Sequence, residues 1–232
     1  MLQALFKQKL KEAFRDSTFE PSEDSKTSSV FGLLQYLPAQ TMWDLLRQSC
    51  SDYSSLGEIS GELQDIQFWT RWSAKGDDIS NLRDVEPDVF CEFENFDLIV
   101  EAKKDDQTGQ YEQQWINEIS AYMNEYADNK KALIFIAFGG NKTFESKKIY
   151  IKGREYFVHL ASWQNLLNAI DNHKKKCSIL EQKRILSDII RAFEKHNFFC
   201  LEWLENLGEF YKNNISNINI DSKIILKLWQ SH

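Results

Sequence analysis

The sequence predicts an α/β fold with a mixed central sheet flanked by helices. The elements run helix, three-strand meander, helix, strand, followed by a mostly helical C-terminal elaboration. Three stretches carry the prediction. Residues 85–104, "VEPDVFCEFENFDLIVEAKK", are two runs rich in β-branched and aromatic residues around a short polar break, the signature of two strands and a turn. In residues 106–131, Trp115, Ile119, Tyr122 and Tyr126 recur at helical spacing. "ALIFIAFGG", from Ala132 to Gly140, is a continuous apolar run ended by glycines, as expected of a strand with both faces covered.

The other elements follow in chain order. Residues 1–14 read as an amphipathic helix, and "RDSTFEPSEDSKTSS" as a polar loop, so that 1–35 form an N-terminal helix and linker. After Pro38, Met42, Leu45 and Leu46 have helical spacing and open the α/β core, residues 36–160. "IQFWTRWSA" is a strand candidate and "AKGDDISNLRD" a polar loop. "KKIYIKGREYFVHL" predicts a second hairpin about Lys152-Gly153. Ser162 is an N-cap candidate for a helix that opens the C-terminal part, 161–232. Residues 178–207 read as largely helical.

The first hairpin sets the chemistry. If Glu94-Asn95 is a two-residue turn, paired residue numbers sum to 189 and Asp88 falls opposite Glu101. Cβ atoms so paired lie roughly 5 Å apart. Side chains alternate along a strand, so Glu101 and Lys103 share a face while Leu98, Val100 and Ala102 face a core. A slip of one residue would disperse the group. Two carboxylates at that separation repel by roughly 1 kcal/mol in water and by more when partly buried. A divalent cation with hard oxygen ligands, such as Mg2+, relieves that repulsion.

"EPD" followed by "EAK" at the end of the next strand resembles the PD-(D/E)XK nuclease superfamily, of restriction endonuclease-like fold. Pro87-Asp88 matches its PD and Glu101-Ala102-Lys103 its ExK, and the element order over about residues 39–138 matches its core. The resemblance implies a Mg2+- or Mn2+-dependent nuclease that hydrolyses phosphodiester bonds of DNA. Asp88, Glu101 and the Ala102 carbonyl would be the metal ligands, and Lys103 would stand beside the attacking water. It also implies a glutamine on the following helix near the site. Gln110, Gln114 and Glu118 share one face there, and Gln114 is the candidate. The Gln-x-x-x-Tyr variant of some branches is absent as such. The family often adds an acid from the first core helix; Asp44 is the candidate and Glu62 its competitor. Glu92 lies nearer the turn and is expected outside the ligand set, and Lys104 on the face opposite Lys103. A catalytically silent subunit that keeps the fold for binding or scaffolding is the alternative function.

Composition sets the remaining bounds. No run of 18 apolar residues exists, so no membrane-spanning helix is expected. The N-terminus lacks the unbroken apolar stretch of a signal peptide. Cys50, Cys91, Cys177 and Cys200 are widely spaced with no CxxC, which argues against a zinc site or disulfide framework and for a reduced, cytoplasmic location. The four histidines read as structural or surface residues. Trp69, Trp72 and Trp115 read as core residues rather than base-stacking platforms. The net charge is −7, yet residues 139–195 hold twelve Lys/Arg against six Asp/Glu. That segment, with Lys174, Lys175 and Lys176, is either a phosphate-tracking surface or a solvated helical face. A homodimer or a partner subunit is compatible with the sequence.

Overall fold

The structure is a computed structural model that describes residues 21–73, 84–107, 109–128, 130–141 and 145–200. The helix expected over 1–14, most of the loop 74–84 and the tail beyond 200 lie outside these residues. The described residues up to Phe199 belong to one compact unit.

The first element corrects the expected linker. Glu23–Leu34 is a helix, α1, of which Ser25, Lys26, Thr27, Ser28 and Ser29 are buried. Its start is locally encoded. Ser22 Oγ accepts the Ser25 N–H at 3.1 Å, and Ser25 Oγ accepts the Ser22 N–H at 3.0 Å. This is a capping box with serine in the place of the usual glutamate, followed by Glu23 and Asp24 at the positive end of the helix dipole. Val30, Phe31 and Leu34 in its second half are buried too, but the first half buries only polar residues and so lacks the apolar stripe by which a sequence reveals a helix.

Helix α2, Ala39–Ser49, follows Pro38 and buries Met42, Trp43, Leu45 and Leu46. Each such side chain contributes roughly 1.5–3 kcal/mol on burial. The Trp43 ring lies 4.5 Å from that of Phe96, centroid to centroid. Strand β1, Leu63–Phe68, then enters the sheet.

The stretch "IQFWTRWSA" does not form one strand. Trp69 takes φ +46°, β1 stops at Phe68, and β2, Trp72–Ser73, pairs with β3, Asp84–Val85, in a separate two-stranded sheet. The main sheet resumes with β4, Val89–Phe93, and β5, Phe96–Ala102. Helix α3, Glu112–Glu125, leads to β6, Ala132–Phe138. The second hairpin is β7, Lys147–Ile151, and β8, Arg154–Ala161, turned by Lys152 and Gly153, both at positive φ. Helices α4, Trp163–Lys176, and α5, Leu180–Lys195, complete the unit; the expected Ser162 cap accepts the Asn165 N–H at 3.0 Å. Among the described residues no helix is long and apolar enough to cross a membrane.

The protein is therefore α/β, with a mixed six-stranded central sheet of order β1-β4-β5-β6-β8-β7 flanked by helices. β1, β4 and β5 form an antiparallel meander, β6 runs parallel to β5, and β8 parallel to β6. One sheet face, with Phe90, Ile99, Phe135 and Leu160, packs under Trp115, Ile119 and Tyr122 of α3. Residues of the other parity, including Leu98, Val100, Ile136 and Phe138, are also fully buried. Two covered faces explain why β5 and β6 read as unbroken apolar runs.

Candidate metal centre

The β4–β5 hairpin pairs Val89 with Val100, Phe90 with Ile99 and Cys91 with Leu98, so the residue numbers of each pair sum to 189. One step further stand Asp88 and Glu101. Beyond them, Lys103 N–H donates to the Phe138 carbonyl at 2.8 Å, which extends the β5–β6 pairing to the lysine. The glycines after β6 make room for it. Gly140 has φ +64°, and a Cβ there would lie 2.8 Å from Lys103 Cγ and 3.0 Å from the Gln110 nitrogen. The Lys103 carbonyl is anchored by the Trp163 indole N–H at 2.7 Å.

Glu23, Asp88 and Glu101 offer carboxylate oxygens that all lie within 4.8 Å of one another, the one group of this kind among the described residues. Lys103 Nζ donates to Glu101 Oε1 and lies 3.8 Å from Glu23 Oε1. Gln114 Nε2 donates to Glu101 Oε1 at 2.7 Å. Both Asp88 oxygens are held: Oδ1 accepts the Trp69 indole N–H at 2.9 Å and Oδ2 the Ala102 N–H at 2.8 Å. Two residues of α3, and one just before it, converge on Glu101 of β5. Gln110 donates to the Glu101 carbonyl at 3.2 Å, Gln114 to its carboxylate, and Glu118 shares a hydrogen bond with that carboxylate. Gln114 and Glu118 stand one turn apart on α3, whereas Gln110 precedes the helix, which starts at Glu112, so the expected row of three is a row of two.

Burial is close to complete, with Asp88 6%, Glu101 2% and Glu118 1% exposed. Desolvation, then the Glu101 charge, pushes the Asp88 carboxyl well above the usual carboxylate range. Glu118 is raised well above it for the same two reasons, and Glu118 Oε2 has no hydrogen-bond partner among the described residues. Desolvation also raises Glu101 and Glu23, against the pull of the Lys103 ammonium. For Lys103, desolvation favours the neutral amine, but Glu101, Glu23 and Asp88 outweigh it and hold the ammonium charged. The site thus concentrates more negative charge than its one lysine balances.

Asp44 and Glu62 do not join this group. Asp44 accepts from Gln40 at 3.1 Å and pairs with Arg47 at 3.9 Å on α2. The Glu62 carbonyl accepts the Glu94 N–H at 2.8 Å, which places it at the hairpin turn, about 20 Å along the strands from Asp88. The helical acid at the site is instead Glu23, on the segment expected to be a linker. The Pro21-Ser22-Glu23-Asp24 run is the helix-start signal that identifies it. Glu92 stands opposite Asp97, toward the turn, and Lys104 is exposed. Trp69, Trp72 and Trp115 are all buried. Lys174, Lys175 and Lys176 end α4, which starts beside the site at Ser162, so they lie about 20 Å away along the helix axis.

No protein-family model matches the chain. It is 30% identical to the uncharacterized protein PM0110 of Pasteurella multocida (strain Pm70) over 234 residues, 93% of this chain and 85% of that protein. The chain belongs to the same family as that protein.

Proposed function

We propose that the chain is a metal-dependent nuclease of the PD-(D/E)XK type that hydrolyses phosphodiester bonds of DNA, in restriction, repair, mobile-element or phage-defence work. The observation that carries this reading is the convergence of Asp88, Glu101 and Lys103 at the ends of adjacent strands, with Glu23 brought in by α1. The helix α2, the meander β1-β4-β5, the helix α3 and the parallel strand β6 match the order of a restriction endonuclease-like core.

The residues fit a divalent cation. Two buried carboxylates and the half-buried Glu23, all with raised affinity for protons, gain from a compact double positive charge, and an all-oxygen set suits Mg2+ or Mn2+. Asp88 and Glu101 would hold it, with Glu23 and the Ala102 carbonyl as further oxygens. When bound, such an ion supplies Lewis-acid stabilisation of charge on a phosphoryl oxygen. The chain's own groups do the rest. Lys103, held as an ammonium, offers hydrogen bonds to the incoming water or to a non-bridging phosphate oxygen. Gln114 fixes the Glu101 carboxylate, and Trp69 and the Ala102 N–H fix that of Asp88. Hydrolysis then forms a bond from the water oxygen to phosphorus and breaks the opposite ester bond.

Incubation of the full chain with plasmid, linear duplex, single-stranded DNA and RNA, each with Mg2+, Mn2+ or EDTA, tests the reading. Cation-dependent cleavage of DNA that Asp88→Ala abolishes supports it. Tight Mn2+ binding without cleavage of any of these would favour a silent binding or scaffolding member of the same fold.

A further inference from the structure

We infer that Trp69 is a positioning residue of this centre: its indole N–H sets the orientation in which the Asp88 carboxylate faces Glu23 and Glu101. The inference rests on the reading of Asp88 as a metal ligand.

Three observations carry it. The Trp69 Nε1–H donates to Asp88 Oδ1 at 2.9 Å, in a site where the indole is 5% exposed. The same residue's backbone N–H donates to the Asp88 carbonyl at 3.2 Å, so Trp69 holds Asp88 at both ends. Trp69 also has φ +46°, a left-handed conformation uncommon for a bulky aromatic residue. It is this turn that breaks the run "IQFWTRWSA" and carries the indole away from β1. Backbone strain of this kind persists only where the surroundings hold it.

Packing alone would need only an aromatic ring, which phenylalanine supplies. The direction of the N–H is useful only for what it touches. With Ala102 N–H on Oδ2 and the indole on Oδ1, neither carboxylate torsion of Asp88 can rotate without losing a buried hydrogen bond. That is the role outer-shell donors play around ligating carboxylates, where removal typically costs about 10–100-fold in metal affinity.

The test measures Mn2+ binding by titration calorimetry on the full chain. It compares wild type, Trp69→Phe, Asp88→Asn, and the chain with the benzothiophene isostere of tryptophan at position 69. The isostere replaces N–H by sulfur and keeps the ring shape, so a packing role predicts no change in it. The expected result is about 10–100-fold weaker Mn2+ binding for both Trp69 variants, measured well below their metal-free melting temperatures, which the lost buried hydrogen bond lowers. If Trp69→Phe fails to fold, the isostere alone decides. Wild-type Mn2+ affinity in the isostere, alongside loss of binding in Asp88→Asn, overturns the role of Trp69 and leaves the metal centre standing. Wild-type affinity in Asp88→Asn removes Asp88 from the ligands and overturns both.

Discussion

Gln114 Nε2 lies 2.7 Å from Glu101 Oε1, the oxygen that Lys103 also contacts. Two donors on one buried oxygen fix the carboxylate before any substrate arrives, which is the preorganisation that catalysis by charge stabilisation requires. Gln114→Ala is therefore expected to fold normally, to bind Mn2+ about 10-fold more weakly, and to lose cleavage rate by at least as much. Calorimetry and a plasmid-nicking assay check this. Unchanged affinity and rate would make Gln114 a bystander.

Asp88→Ala, Glu101→Ala and Lys103→Ala are each expected to abolish phosphodiester cleavage, but they should separate in metal binding. The acid variants lose ligands and should lose Mn2+. Lys103→Ala removes a cation from a carboxylate cluster and should bind Mn2+ at least as tightly as wild type. Robust cation-dependent cleavage by purified Asp88→Ala would end the proposed mechanism.

Glu23 and Asp44 offer a direct contrast. Glu23 places an oxygen within 4.8 Å of the Asp88 and Glu101 ligand atoms, whereas Asp44 is engaged with Gln40 and Arg47 on α2. Glu23→Gln is expected to weaken Mn2+ binding about 10-fold or more, and Asp44→Asn and Glu62→Gln to leave it unchanged. Equal effects of the three would remove Glu23 from the site.

Stability of the metal-free protein should depend on pH in an unusual direction. Burial raises the folded-state proton affinity of Asp88, Glu101, Glu118 and Glu23 above the ordinary carboxylate values of 3.8 and 4.5. The folded state then holds protons that the unfolded chain releases. The resulting stabilisation is full below those ordinary values and is lost as pH rises through the elevated folded ones. In EDTA, the melting temperature of wild type should therefore fall with rising pH more steeply than that of Glu118→Gln. Saturating Mg2+ should reduce the difference, because the cation substitutes for the protons. Parallel melting curves for the two proteins across pH 4–8 in EDTA would contradict this account.

Much of the site is readable without coordinates because local rules place it. A two-residue turn sets the register of β4 and β5, and with it the opposition of Asp88 and Glu101. The strand period of two puts Lys103 on the Glu101 face, and the helix period puts Gln114 and Glu118 in one row, while Gln110 lies ahead of the helix. These relationships span at most a few tens of residues and depend on backbone geometry common to all chains.

Glu23 and Trp69 follow a different logic. The first half of helix α1 carries polar residues where an amphipathic pattern would carry apolar ones, so its burial depends on the surfaces that surround it. A local signal marks where α1 starts, but Lys26 shows why none places the helix at the site. Desolvation lowers its affinity for protons to a pKa of about 7, and it is held by the Lys104 carbonyl and by the faces of Trp163 and Phe198 at 4.2 and 4.5 Å. Those partners come from distant parts of the chain, and they fix the helix that delivers Glu23. Trp69 departs from its strand through a left-handed backbone angle that no propensity favours for tryptophan. By itself the sequence determined the α/β order, the hairpin register and the Asp88–Glu101–Lys103 face, since each is set by chain neighbours and period. The tertiary structure alone decided which helix supplies the third acid and which donor holds Asp88, since those contacts arise only when segments far apart in sequence exclude water from the same site.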